Sequence, residues 1–163
     1  MKKIKYYQSF FIIILMSIFL TSCQAQDLPV EKNVDIQKYL GTWYEIARFP
    51  HSFEKGLENV SATYSLKENG KIKVLNKGQN SDGELSEIEG VAWVPDAKQT
   101  AKLKVRFFWP FSGNYWIISL DKDYQYVLVG DPSRKYLWIL ARTKTLDDSI
   151  YSELIKTANE RGF

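Results

Sequence analysis

This sequence holds little that is suited to covalent or metal chemistry. Its 163 residues include one cysteine and one histidine, so no disulfide can form within the chain and no thiol–imidazole cluster can hold a zinc ion. A Gly-x-Ser-x-Gly nucleophile elbow is absent as well. The single His51 falls in an expected loop. Glu45 and Glu89 fall in expected strands, where a carboxylate on the wetted side of the wall is the ordinary finding. The chain is therefore read as a non-enzyme with no cofactor and no metal site. It also lacks a membrane-spanning run: the longest uncharged apolar stretch, Phe10 to Leu20, is shorter than the roughly 20 residues a helix needs to cross a hydrocarbon core. Finally, it lacks a usable excess of positive charge. Lys and Arg number 22 against 19 Asp and Glu, but three of the lysines (Lys2, Lys3, Lys5) and no acid lie in residues 1–22, leaving 19 against 19 beyond them. The basicity belongs to the N-terminus and gives no footing for a nucleic-acid partner.

What is present at that terminus is a targeting signal. Three lysines, a short apolar run and small residues form a signal peptide over residues 1–22. The run ends in Leu20-Thr21-Ser22-Cys23, which resembles the lipobox of bacterial lipoproteins, in which the cysteine thiol is diacylated and the chain is cut just ahead of it. Cys23 is thus expected to be the lipid anchor. Acyl chains of dozens of CH₂ groups, at about 0.8 kcal/mol for each one buried, make such an attachment stable. Gln24 follows in place of the Asp that marks inner-membrane retention. A protein anchored in the outer membrane and facing the periplasm is expected, with residues 23–34 as acylated terminus and linker and one domain over 35–163.

Past a short turn at Asp35 to Leu40, the chain breaks into eight runs rich in aromatic and β-branched residues: Thr42 to Phe49, Asn59 to Leu66, Lys71 to Gln79, Leu85 to Val94, Ala101 to Phe108, Tyr115 to Leu120, Tyr124 to Gly130 and Lys135 to Arg142. Turn chemistry separates them, as in Glu68-Asn69-Gly70, Ser81-Asp82-Gly83 and Asp131-Pro132-Ser133. Leu103, Val105 and Phe107 alternate with Lys102, Lys104 and Arg106, which puts one face in water and the other in a dry interior. Short links imply antiparallel neighbours, and eight of them close most simply into an all-β up-and-down barrel, which leaves no exposed edge. Leu146, Ile150, Leu154 and Ala158 recur at helical spacing. They predict one C-terminal helix, started by Thr145 and Asp148 and ended near Gly162, packed on the barrel wall.

Gly41-Thr42-Trp43-Tyr44 resembles the Gly-x-Trp-Tyr motif that opens the first strand of lipocalins. Trp138-Ile139-Leu140-Ala141-Arg142 resembles the other end marker of that family, an arginine closing the last strand. The segments Glu45 to Arg48, Tyr64 to Leu66, Gly70 to Asn76 and Glu89-Gly90 are similar to the branch holding apolipoprotein D and the bacterial lipocalins, and the likeness runs from about Val34 to Phe163. The resemblance implies a barrel that binds a fatty acid, a lysophospholipid or a similar small apolar molecule. It also implies that Tyr64, Asn76 and Trp138 line the pocket. Such relatives usually continue beyond the helix with an extended segment, whose contacts, subunit pairing included, have no counterpart before Phe163. The oligomeric state is left open.

Topology adds an independent argument. In an eight-stranded up-and-down barrel the first strand starts where the eighth ends, so Trp43 and Arg142 should be neighbours. A guanidinium over an indole, worth about 0.5 to 2 kcal/mol, would then plug that end, with Gly41 beside it. The loops after the first, third, fifth and seventh strands frame the mouth. Two are aromatic, contributing Phe53, Trp109 and Phe111 as a rim that either packs inward or touches membrane and ligand. Periodicity adds Val60, Ala62, Val74, Leu103, Val105, Phe107, Tyr126 and Leu128 as inward positions, each readable as pocket lining or as plain core. In Tyr115 to Leu120 both faces are apolar and the parity stays open. The alternative to a ligand carrier is an envelope scaffold lipoprotein with a filled barrel.

Overall fold

The computed structural model describes residues 27–51 and 56–163; the expected signal peptide, Cys23 and Phe53 lie outside them. A helical turn, α1 (Ile36–Tyr39), precedes eight strands: β1 (Gly41–Arg48), β2 (Glu58–Leu66), β3 (Ile72–Gln79), β4 (Leu85–Trp93), β5 (Lys102–Arg106), β6 (Gly113–Leu120), β7 (Tyr126–Gly130) and β8 (Leu137–Ala141). The helix α2 (Asp148–Glu160) follows. The strands form a closed barrel in sequence order, and β1 pairs with β8 to complete it. All eight pairings are antiparallel. The expected all-β up-and-down barrel with one C-terminal helix is the observed fold.

Differences of detail have local causes. The last two strands begin later than periodicity predicts because Tyr124 (φ 58°) and Arg134 (φ 61°) adopt the left-handed conformation in the turns ahead of them, which a pleated strand cannot absorb. The fifth strand stops at Arg106, so Phe107 and Phe108 belong to the loop at the mouth. The segment read as a plain turn at residues 35–40 is α1, whose first amides bond the Asp35 carboxylate. Asp147, rather than Thr145, caps α2.

Two hydrophobic layers result. The interior layer centres on Trp43, Tyr39, Val74, Leu103, Ile117 and Val129. The second lies outside the barrel, where Leu154 and Ala158 of α2 cover Ile118, Leu128 and Ile139 together with Leu28 from the N-terminal segment. This wall is buried on both sides, and β7, β8 and residues 115–118 of β6 carry apolar residues on both faces. That removes the water-facing half of the alternation from which inward positions are read. The structure therefore corrects two expectations: Leu128 lies in the outer layer and Tyr126 packs against it, while Val127 and Val129 are the inward residues of β7. In β6 the undecided parity resolves with Tyr115 and Ile117 inward, Trp116 and Ile118 outward.

Candidate functional site

One end of the barrel is sealed. Trp43 is fully buried, its indole Nε1 donates to the Tyr39 carbonyl at 2.8 Å, and the Arg142 guanidinium lies 3.8 Å above its ring. Arg142 also donates to the carbonyls of Thr42 (2.9 Å), Lys38 (3.0 Å), Tyr39 (3.2 Å), Leu40 (2.9 Å) and Tyr124 (3.2 Å). It thus ties α1, the start of β1 and the turn before β7 into one cap. Gly41, at φ 97°, would bring any Cβ to 3.3 Å from that guanidinium; both backbone and space call for glycine here. Beneath the plug, the Tyr115 hydroxyl hydrogen-bonds the hydroxyls of Tyr39 (2.7 Å) and Tyr64 (3.0 Å). Burial pushes the Tyr39 and Tyr115 phenols well above the usual tyrosine range, so these hydroxyls stay neutral.

Above this floor is a cavity of about 440 Å³, within the range of small-molecule sites, ~300 to 1,000 Å³. Its wall includes Tyr64, Asn76 and Trp138, and, of the positions added by periodicity, Val60, Ala62, Val74, Val105 and Phe107. Leu103 is a correction: it is inside the barrel but buried in the packed interior layer, outside the cavity wall. Tyr126 and Leu128, on the outer face, do not reach the cavity either. At the mouth, Phe111 is both part of the lining and 77% exposed, whereas Trp109, 81% exposed, is not part of the lining.

The structure also brings in residues that sequence reasoning passed over. Gly90 of β4 faces Phe107 so closely that a Cβ would stand 2.7 Å from its ring; the absent side chain is what lets that ring fold over the cavity. Tyr115 and Tyr136 join the wall. Glu45, read as a wetted wall carboxylate, faces the cavity instead, while Glu89 is the wetted one, paired with Lys73 at 2.7 Å. The signal for Glu45 was its alternation with Trp43.

A bulge gives Glu45 its partner. The β1–β8 register shifts between Glu45 and Ala47, so Ile46 and Ala47 both pack against the outer layer, and Arg48 returns to the side of Glu45 and forms an ion pair with it. Arg48 also donates to the Leu57 carbonyl at 2.9 Å. Burial raises the Glu45 carboxyl above its ordinary value, and Arg48 opposes this. His51 packs on Trp138 with ring centres 5.3 Å apart. Its pKa is lowered to about 4, by burial first and by the Arg48 charge second.

Comparison with known proteins agrees with this architecture. Residues 34–163 match the family described as "Lipocalin-like domain". The chain is 51% identical over 137 residues to the outer membrane lipoprotein Blc of Escherichia coli (strain K12), covering 83% of this chain and 77% of that protein. It is 46% identical over 125 residues to apolipoprotein D of Macaca fascicularis, covering 72% and 66%. Among solved structures, insecticyanin from the tobacco hornworm Manduca sexta superposes with a TM-score of 0.67 over 83% of this chain and 79% of its own, at 24% identity, a likeness of fold alone.

Proposed function

The chain belongs to the lipocalin family, and from that premise we propose that it is an outer-membrane lipoprotein whose barrel binds and carries small apolar molecules, without converting them. In this reading Cys23 bears the acyl anchor, residues 1–22 are removed, and the barrel stands on the periplasmic side. The preferred cargo is a single-chain lipid, a fatty acid or lysophospholipid, with its tail on Val60, Ala62, Val74 and Val105 and its polar end toward the mouth. The carrying observation is the cavity itself: an apolar cup sealed at the Trp43–Arg142 end and ringed by aromatics at the other. Transfer of each CH₂ from water contributes about 0.8 kcal/mol, ample for a long chain after the cost of immobilising it.

Native mass spectrometry of the mature chain before and after delipidation tests the binding. A co-purifying lipid mass, and its return on adding lipid, is the expected result; a barrel that refuses every apolar ligand overturns the reading in favour of a scaffold. In a variant with Trp93, Trp109 and Trp116 replaced and the structural Trp43 kept, a brominated fatty acid should quench the fluorescence of Trp138 and saturate at one ligand per barrel. Binding without quenching would put the lipid on the outer wall. The anchor is tested separately, since Cys23→Ala should leave an uncut, unacylated precursor.

A further inference from the structure

The outer wall of the barrel sorts its charges by strand. Between β3 and β4 the cations are matched, Lys73 to Glu89 at 2.7 Å and Lys77 to Glu87 at 2.6 Å. The outward face of β5 is different. Leu103 is buried inside and Val105 lines the cavity, so the alternating positions Lys102, Lys104 and Arg106 face outward, and each of them is basic. Among the described residues, the carboxylate in ion-pair range of these three is Asp27, 3.6 Å from Lys102. Residues 23–163 hold 19 charges of each sign; the excess on this wall is local.

Indoles lie beside this row of charge. The Lys102 ammonium stands 4.3 Å from the centre of the Trp116 ring, its partner across the β5–β6 ladder. Trp93, opposite Lys104 on β4, is approached by the Arg106 guanidinium at 5.7 Å and by the Lys71 ammonium at 5.9 Å. Long stems packed along apolar rings leave the charged heads at the surface. Past Arg106 the chain continues into the exposed Phe108, Trp109 and Phe111. A single stripe, about 13 Å of strand and then an aromatic loop, thus leads along the wall to the mouth.

The place where the chain enters this stripe decides what the stripe meets. Asp27, at its Lys102 end, is the first described residue, and Cys23 precedes it by four positions. Four residue steps span at most about 14 Å, so acyl chains on Cys23 hold that end of the stripe close to the lipid head groups. Lysine and arginine are drawn to anionic head groups, and indoles settle at the boundary between water and acyl chains. Resting on the reading of Cys23 as the anchor, we propose that the outward face of β5, with Lys71, Trp93 and Trp116, is a docking surface. Its partner is the layer of anionic phospholipid head groups in the leaflet that holds the anchor. Docked there, the barrel lies on its β4–β5 side, and the aromatics past Arg106 bring the mouth to the same leaflet.

Lysine acetylation, read by peptide mass spectrometry, tests this on the acylated mature chain in vesicles of phosphatidylcholine alone or of equal parts phosphatidylcholine and phosphatidylglycerol. Lys71 and Lys104 should react about threefold or more slowly on the anionic vesicles, and added salt should restore their rates. Lys122 and Lys156, exposed elsewhere on the molecule, should react alike on both. Lys104→Glu combined with Arg106→Glu should abolish the protection of Lys71 while the chain stays on both vesicles through its anchor. Lys104→Gln with Arg106→Gln should weaken the same protection, and decides if the reversed pair does not fold. Equal rates at Lys71 and Lys104 on the two vesicles would leave this wall to an acidic protein partner and overturn the lipid docking, with the anchor still in place. Protection that falls on Lys156 instead overturns it too. A mature chain that carries no acyl groups and stays off neutral vesicles overturns the anchor and, with it, the docking.

Discussion

The two ends of this barrel are built for opposite purposes. At the closed end an indole that is fully buried is roofed by a guanidinium whose donors are spread over five backbone carbonyls. At the open end Phe108, Trp109 and Phe111 are 67%, 81% and 77% exposed, and the loop carrying them leads directly into the cavity wall. Stability is concentrated where nothing needs to pass, and apolar surface is left in water where a ligand must. That division lets a barrel be rigid and open at once, because closure of the hydrogen-bonded sheet holds the mouth in shape without a core behind it.

The largest loss should come from Trp43→Ala, about 3 to 5 kcal/mol, because the surrounding cap cannot collapse into the space. Urea unfolding measures it, and an unchanged midpoint would mean the plug is not the centre of stability. Arg142→Ala should cost about 2 to 4 kcal/mol, through the lost ring contact and the carbonyls left without their charged donor. The part of that protein that remains folded should still bind lipid. Loss of binding in a fully stable variant would instead place Arg142 in the pocket.

At the other end, replacing Phe108, Trp109 and Phe111 together by serine should shift stability by no more than about 0.5 kcal/mol. Transfer of a fluorescent lipid from vesicles into the barrel should nevertheless slow several-fold, since exposed apolar patches mark contact surfaces. A large stability loss with unaltered transfer would make the rim a structural cap.

The smallest expected effect is in pH dependence. His51, at the mouth, has a folded pKa of about 4 against an ordinary 6.5. Its contribution is therefore present above pH 6.5 and lost as pH falls through 4. The buried Tyr39 and Tyr115 have raised pKa values, so theirs is present below pH 10 and lost as pH rises beyond it. Thermal melts should show that His51→Phe flattens the acid side only and Tyr39→Phe the alkaline side only. A variant that flattens the opposite limb would contradict the direction of the shift assigned to that group.

Much of this was legible in the residues. Eight aromatic and β-branched runs, several of them alternating, with turn chemistry between them lead to a closed antiparallel barrel, and once the first and eighth strands must meet, Trp43 and Arg142 have to be neighbours. Alternation also put Val60, Ala62, Val74, Val105 and Phe107 on the inward side, because the outer faces of β2, β3 and β5 are largely polar and meet water. The same reasoning misplaced Tyr126 and Leu128. Their strand is covered outside by α2 and the N-terminal segment, so apolar residues stand on both faces and period two carries no direction. It also passed over Gly90, whose role is the room it leaves for the Phe107 ring from the loop after β5.

Local periodicity and the geometry of closing a sheet were enough for the number of strands and their order, and the lipocalin end motifs marked the sealing pair that this closure makes neighbours. The partner of the Glu45 carboxylate, by contrast, came from the assembled sheet. A one-residue bulge in β1 returns Arg48 to the side of Glu45, and a bulge arises from the pairing of β1 with β8, some 95 positions away in the chain, which no local pattern records.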